Sequence, residues 1–268
     1  MCLSEAKGMD IKMKVVILAG GLPSVIIEQD EKVPKPMAEI GGHPILWHIM
    51  KQYSTFGYQD FIICAGYKIE MIKDYFMNYY IYQSDITIDL QNNDITLHKK
   101  RTEDWNVTVL NTGLHSSIPE RIKMIQGYLA DEPFIVSYGD CVSDINIDEL
   151  VTFHKKHGKI ATYSVARPIG RSEILPIDTD GQFMQSTDIN IADSAWVNAC
   201  NMVFEPEIFN YLKEAHMEKD MLHILLQHRQ ALPYKHKGFW SPMETIRDKT
   251  LLEEMWNNNQ AVWKIWKD

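Results

Sequence analysis

Two adjacent glycines and a lysine set between prolines are the residues whose types and spacing first point to chemistry. Gly20-Gly21 ends the apolar run Val15-Val-Ile-Leu-Ala19, and Lys35 lies in Val33-Pro-Lys-Pro-Met37. Five apolar residues running into paired glycines read as a buried parallel strand that ends in a phosphate-sized turn. Pro34 lacks an N–H and Pro36 restricts Lys35 to extended backbone, so the arm is expected to be non-helical and to hold its ammonium stiffly beside the turn. A glycine turn with a held cation suits a polyphosphate. A second stretch, Phe134-Ile-Val-Ser-Tyr-Gly-Asp140, reads as a buried strand that delivers Asp140 at its carboxyl end, where open α/β sheets bind ligands. Each feature also has a plainer reading: a tight turn for the glycines, a solvated loop lysine for Lys35, a strand-end turn aspartate for Asp140.

Positioning these residues takes a sheet. After Lys35, Pro44 opens a helix with Ile45, Leu46, Ile49, Met50 and Tyr53 on one face. Asp60 to Cys64 then reads as a second buried strand and Glu70 to Tyr80 as a helix. Such alternation at short spacing predicts a parallel sheet with right-handed crossovers. Alternating Ile86, Ile88 and Leu90, then Ile95 and Leu97 across Asn92-Asn-Asp94, predict a hairpin. Trp105 to Gly113 is a further strand, Arg121 to Leu129 a short amphipathic helix, and Asp148 to His157 a helix ended by Gly158. Strands follow at Ile160–Ala166, Trp196–Phe204 and Leu232–His236, with turns and a hairpin over Gly170–Phe183. Helices are expected at Glu207–Glu214, His216–Gln227 and Ile246–Asn257.

With 268 residues, 45% of them hydrophobic and 24% charged, the chain has the makings of one large globular α/β domain, expected over residues 13–268 behind a loosely ordered extension at 1–12. A formal charge of -9 argues against a general nucleic-acid binder. The extension lacks a long apolar region and a cleavage site, and no apolar run approaches the ~20 residues of a membrane span, so neither a signal peptide nor membrane insertion is expected. Cys2, Cys64, Cys141 and Cys200 form no Cys-x-x-Cys pair, against zinc and against a disulfide framework; reduced thiols in the cytoplasm are expected. The histidines show no ligand spacing and read as surface or packing residues.

The glycine turn and the Pro-Lys-Pro arm, taken together, resemble the signature of the sugar-1-phosphate nucleotidylyltransferases, most closely the glucose-1-phosphate cytidylyltransferases: Leu-Ala-Gly-Gly-x-Gly-Thr-Arg-Leu followed by Lys-Pro-Lys-Pro-Met. The resemblance covers about residues 13 to 266. It implies a Rossmann-like nucleotidyltransferase fold, with a mixed, mainly parallel central sheet and helices on both faces, and a reaction between CTP and glucose 1-phosphate or a related phosphorylated acceptor. It further implies that Leu18, Ala19, Gly20, Gly21, Lys35, Thr112, Gly113 and Arg121 bind the nucleotide, that Asn198 binds the substrate, and that Asp140 and Glu244 hold Mg2+, with Lys35 and Asp140 catalytic. Oligomers are common in the family, and the aromatic-rich stretch from Asp74 to Asp89 offers a contact between copies.

Departures from the family pattern fall at ligand-contacting positions. Gly-Thr-Arg is replaced by Pro23-Ser24-Val25, which removes a backbone N–H and a guanidinium from the triphosphate. Glu-Lys-Pro, whose lysine holds the sugar phosphate, aligns with Asp188-Ile189-Asn190. Asn-Gly-Gly becomes Asn198-Ala199-Cys200, Asp-Thr-Gly becomes Asn111-Thr112-Gly113, and Gly-Arg-Phe-Gly becomes Gly170-Arg171-Ser172-Glu173. Glu244 is one methylene longer than the family's aspartate. Two functions therefore stand side by side: a cytidylyltransferase-like enzyme, or a catalytically impaired homologue that binds a nucleotide or a partner protein as a regulator or subunit.

Overall fold

The computed structural model describes residues 13–21, 33–99, 102–167, 175–177 and 195–267. Its centre is a twisted sheet built on β1 (Val15–Ala19), flanked in parallel by β4 (Asp60–Ala65) and β8 (Phe134–Tyr138). The neighbours continue outward to β7 (Asn106–Asn111) on one side, and on the other to β12 (Ala195–Phe204), β10 (Ala161–Ala166) and β13 (Ala231–Lys235), giving the order β13-β10-β12-β8-β1-β4-β7. Along that path β12 runs antiparallel to both of its neighbours, while the remaining pairings are parallel. The short strand β11 (Leu175–Pro176) adds to β12, and the two-residue strands β2 (Glu39–Ile40) and β3 (His43–Pro44) pair with each other.

Both faces of this sheet are covered, which is why β1 is apolar at every position. Val15 and Ile17 join a core with α1 (Ile45–Thr55), α2 (Ile69–Tyr82), α4 (Ile147–His157) and, near the end of the chain, Leu252 and Trp263. Val16 points the other way, into a core shared with Ile122, Ile208, Met221 and Leu225. These four sit on α3 (Ile118–Met124), α5 (Ile208–Tyr211) and α6 (Glu218–Gln227). The expected mixed, mainly parallel sheet between helical layers is therefore observed. The final helix, α7 (Ile246–Asn257), starts in a capping box made by Thr245 and Asp248.

The hairpin of β5 (Asp85–Asp89) and β6 (Asp94–Lys99) forms as its alternation predicts, with Asn93 at φ 53° in the bend. Gly158 closes α4 at φ 64°. Two local readings need correction. Lys35–Met37 is a single 3-10 turn rather than extended chain: its hydrogen bonds, Met37 N–H to Pro34 O (2.8 Å) and Ala38 N–H to Lys35 O (3.0 Å), use no proline donor, so Pro36 does not prevent it. Helix α3 starts at Ile118, three residues before the expected Arg121, because Ser117 and Glu120 form a capping box and Pro119 occupies the first turn. Trp240–Pro242, which the sequence reading leaves without an element, forms a strand, β14, paired antiparallel with β9 (Cys141–Ser143).

The extension at 1–12, the residues Pro23-Ser24-Val25, Gly170 to Glu173 and Asp188 to Asn190 lie outside the described residues, as does most of the hairpin expected over 170–183. No helix among the described residues is long and apolar enough to cross a membrane.

Candidate active site at two adjoining cavities

β1 ends where the sheet opens, and the chain there meets the turn that follows β7. Arg121 ties the two together: Nη2 donates to Gly20 O at 2.6 Å and Nη1 donates to Thr112 Oγ1 at 2.6 Å. The Thr112 hydroxyl in turn donates to Ala65 O at 2.9 Å, at the end of β4. A Cβ at position 20 would collide with the Arg121 guanidinium, so it is this close approach that favours glycine there. Gly113 sits at φ 85°, a conformation that favours glycine. Arg121 is buried among neutral acceptors, and burial pulls its pKa down. Among the described residues no carboxylate forms an ion pair with it, and it stands at the wall of an open space.

This space is a cavity of about 410 Å³, bounded by Leu18, Ala19, Gly20, Gly21, Lys35, Arg121 and Asp140 together with Pro36, Tyr138 and the segment 114–118. The expected nucleotide-binding residues thus converge on one wall, with two exceptions. Thr112 is buried behind Arg121, and neither it nor Gly113 lines the space. Lys35, lifted by its 3-10 turn, places Nζ 3.5 Å from Asp140 Oδ2, with both side chains about a quarter exposed.

Asp140 occupies the turn between β8 and β9. Its peptide oxygen accepts from Met243 N–H at 2.7 Å, and the β9–β14 pairing sets Cys141 opposite Pro242, so Glu244 is brought to Asp140 by strand register. Burial raises the pKa of Asp140; the Lys35 ammonium opposes this and the Glu244 carboxylate adds to it. Two acids that repel one another, with one lysine beside them, form a donor set of hard oxygens that suits a magnesium ion, which takes one or two carboxylates plus substrate phosphates. Among the described residues there is no cluster of three or more histidine, cysteine or acidic side chains able to hold a metal.

On the far side of Asp140 lies a second cavity of about 630 Å³, which shares Tyr138 and Asp140 with the first. Glu244 and Asn198 line it, as do Cys200, Trp240 and one face of α6. Asn198 Nδ2 donates to Glu218 Oε1 at 3.0 Å, while its Oδ1 accepts from Cys200 N–H at 2.9 Å. Tyr138 also gives its hydroxyl proton to Glu218 Oε1. Burial and the Glu218 charge raise the pKa of Tyr138, so the phenol stays protonated as a donor. Cys200 has φ 68°, the left-handed region, which is why glycine is expected there. Sequence reasoning missed Tyr138 and Glu218. Glu218 stands at the start of a helix, where acids are common for reasons of helix polarity, so nothing local marks it as part of a site.

A profile of the nucleotidyl transferase family matches residues 14–172. The chain is 43% identical over 258 residues to the glucose-1-phosphate cytidylyltransferase of Salmonella typhi, covering 95% of this chain and 100% of that protein. Its identity to the enzyme of the same name from Salmonella typhimurium is also 43% over 258 residues, with the same coverage. Among solved structures, UDP-glucose pyrophosphorylase from Acinetobacter baumannii superposes with a TM-score of 0.70 at 11% identity, over 92% of this chain and 94% of that one, a likeness of fold.

Proposed function

We propose, since this chain belongs to the nucleotidyl transferase family, that it transfers a cytidylyl group from CTP to glucose 1-phosphate. A phosphate oxygen of the sugar phosphate attacks the α-phosphorus of CTP, the bond to the β-phosphate breaks, and CDP-glucose and pyrophosphate form. The observation that carries this reading is the pair of cavities meeting at Asp140: a nucleotide in the first and a sugar phosphate in the second would bring their phosphates together at one acid.

In this reading the backbone at Gly20 and Gly21 approaches the triphosphate closely, and Lys35 grips it. Arg121 holds the turn in shape and lends its charge to that wall. Asp140 and Glu244 would hold Mg2+, which when bound neutralises the charge of the approaching phosphates. Asn198 faces the sugar, its amide fixed by Glu218. The nucleophile is already anionic, so no general base is required. The protein would work in the cytoplasm as one domain over 13–268. It would self-associate through Met77, Tyr82, Ile88 and Leu90, which are exposed on α2, β5 and the bend after it. Leu90→Asp is then expected to shift sedimentation toward the monomer, and an unchanged profile would count against that contact.

Pyrophosphate release from CTP, glucose 1-phosphate and MgCl2, compared with the other nucleoside triphosphates, tests the assignment. Pro23 and Val25 favour a second reading, a catalytically impaired homologue. Calorimetric binding of CTP without detectable pyrophosphate release would select it.

A further inference from the structure

The second cavity is poor in positive charge for a site meant to take a phosphorylated acceptor. Asp140, Glu218 and Glu244 all line it. Lys35 is in contact with Asp140 on the side of the first cavity. Even with Mg2+ at Asp140 and Glu244, Glu218 still faces the cavity, and an anionic acceptor gains from a cation on that side.

Among the described residues lining this cavity, Lys219 is the sole lysine or arginine. Its direction follows from helix geometry. Lys219, Leu222, His223 and Leu226 all line the cavity, a spacing of three, four and seven residues that marks one face of α6. Glu218 pins the start of that helix to the sheet by accepting from Tyr138 and Asn198, and Asp220 Oδ2 closes the same turn by accepting from Met217 N–H at 2.8 Å. Lys219 is thus carried on an anchored first turn, with an imidazole one turn further on.

We propose that Lys219 is the acceptor-phosphate ligand of this protein, with His223 beside it, so that the second cavity selects a sugar phosphate through a cation on α6. This rests on the cytidylyl-transfer reading, and the two are separable. Lys219 is exposed, so substitution leaves the core intact. With CTP and MgCl2 present, Lys219→Gln should raise KM for glucose 1-phosphate by about 10- to 100-fold, the worth of one charge-assisted hydrogen bond. KM for CTP should stay within about twofold, and Lys219→Arg should recover most of the loss. Equal KM values for glucose 1-phosphate in wild type and Lys219→Gln would overturn the assignment and leave the reaction standing. If the wild type binds glucose 1-phosphate calorimetrically without turnover and Lys219→Gln binds it more weakly, Lys219 stands and the reaction falls. A wild type that neither turns over nor binds glucose 1-phosphate overturns both.

Discussion

At the residue scale Asp140 serves the site at a cost to the fold, whereas Gly20 serves both. Because burial and Glu244 raise the pKa of Asp140 despite Lys35, its folded environment favours the protonated acid. The sign follows: stability from this group is greatest below the usual aspartate range and is lost as pH rises through the raised value, so at pH 7 the ionised carboxylate is destabilising. Asp140→Asn is therefore expected to raise the Tm of metal-free protein at pH 7 while lowering cytidylyl transfer by roughly 10²-fold or more. A lowered Tm would show that the Lys35 ion pair outweighs burial. Gly20→Ala acts in the opposite sense: its methyl must displace the Arg121 guanidinium, at a cost of roughly 1–3 kcal/mol. Denaturant titration should show that loss together with weakened CTP binding, and a neutral effect would mean that Arg121 is free to move.

Element positions depend on a few long-range polar ties set in apolar packing. Helix α1 is joined to the C-terminal segment through His48, whose Nδ1 accepts from Trp263 Nε1–H at 3.4 Å and whose Nε2 lies 2.8 Å from Ile40 O. With Nδ1 accepting and Nε2 donating, the ring is a neutral imidazole among Trp47, Trp256, Trp263 and Trp266. Burial accordingly lowers its pKa to about 4, the Ile40 carbonyl partly offsetting the fall. A depressed base contributes stability above its unfolded pKa, and that contribution is lost as pH falls from about 6.5 toward 4. This one ring should cost on the order of 2 kcal/mol by pH 4.5, read by urea unfolding. An NMR titration of His48 with a midpoint near that of an exposed imidazole would contradict the arrangement.

At the scale of the whole molecule, the site is the seam where β1 and β8 end and the β9–β14 ribbon crosses toward α6. The two cavities lie on either side of it, so a ligand in either should stabilise elements from both halves of the sheet. CTP with MgCl2 at about 100 times its Kd should add about 2.7 kcal/mol, a Tm rise of roughly 5 °C. EDTA should remove most of that rise if Asp140 and Glu244 hold the metal, and an unchanged rise would place the CTP contact on Lys35 and the glycine turn alone.

What could be read without the fold was local. The apolar run of β1, the paired glycines, the strand delivering Asp140 and the Asn-rich hairpin bend each follow from backbone preferences and side-chain periodicity within a few residues. The 3-10 turn at Lys35 and the early start of α3 escaped because short hydrogen-bonded turns and caps override a reading from proline and amphipathicity alone. Tertiary structure decided the rest: that Arg121 braces Gly20 across 101 residues, that β9–β14 register carries Glu244 to Asp140, and that Glu218 and Lys219 line the second cavity. Contacts of that separation are set by how whole elements pack, and the identity of an isolated acid or lysine contains no record of which neighbour it will meet.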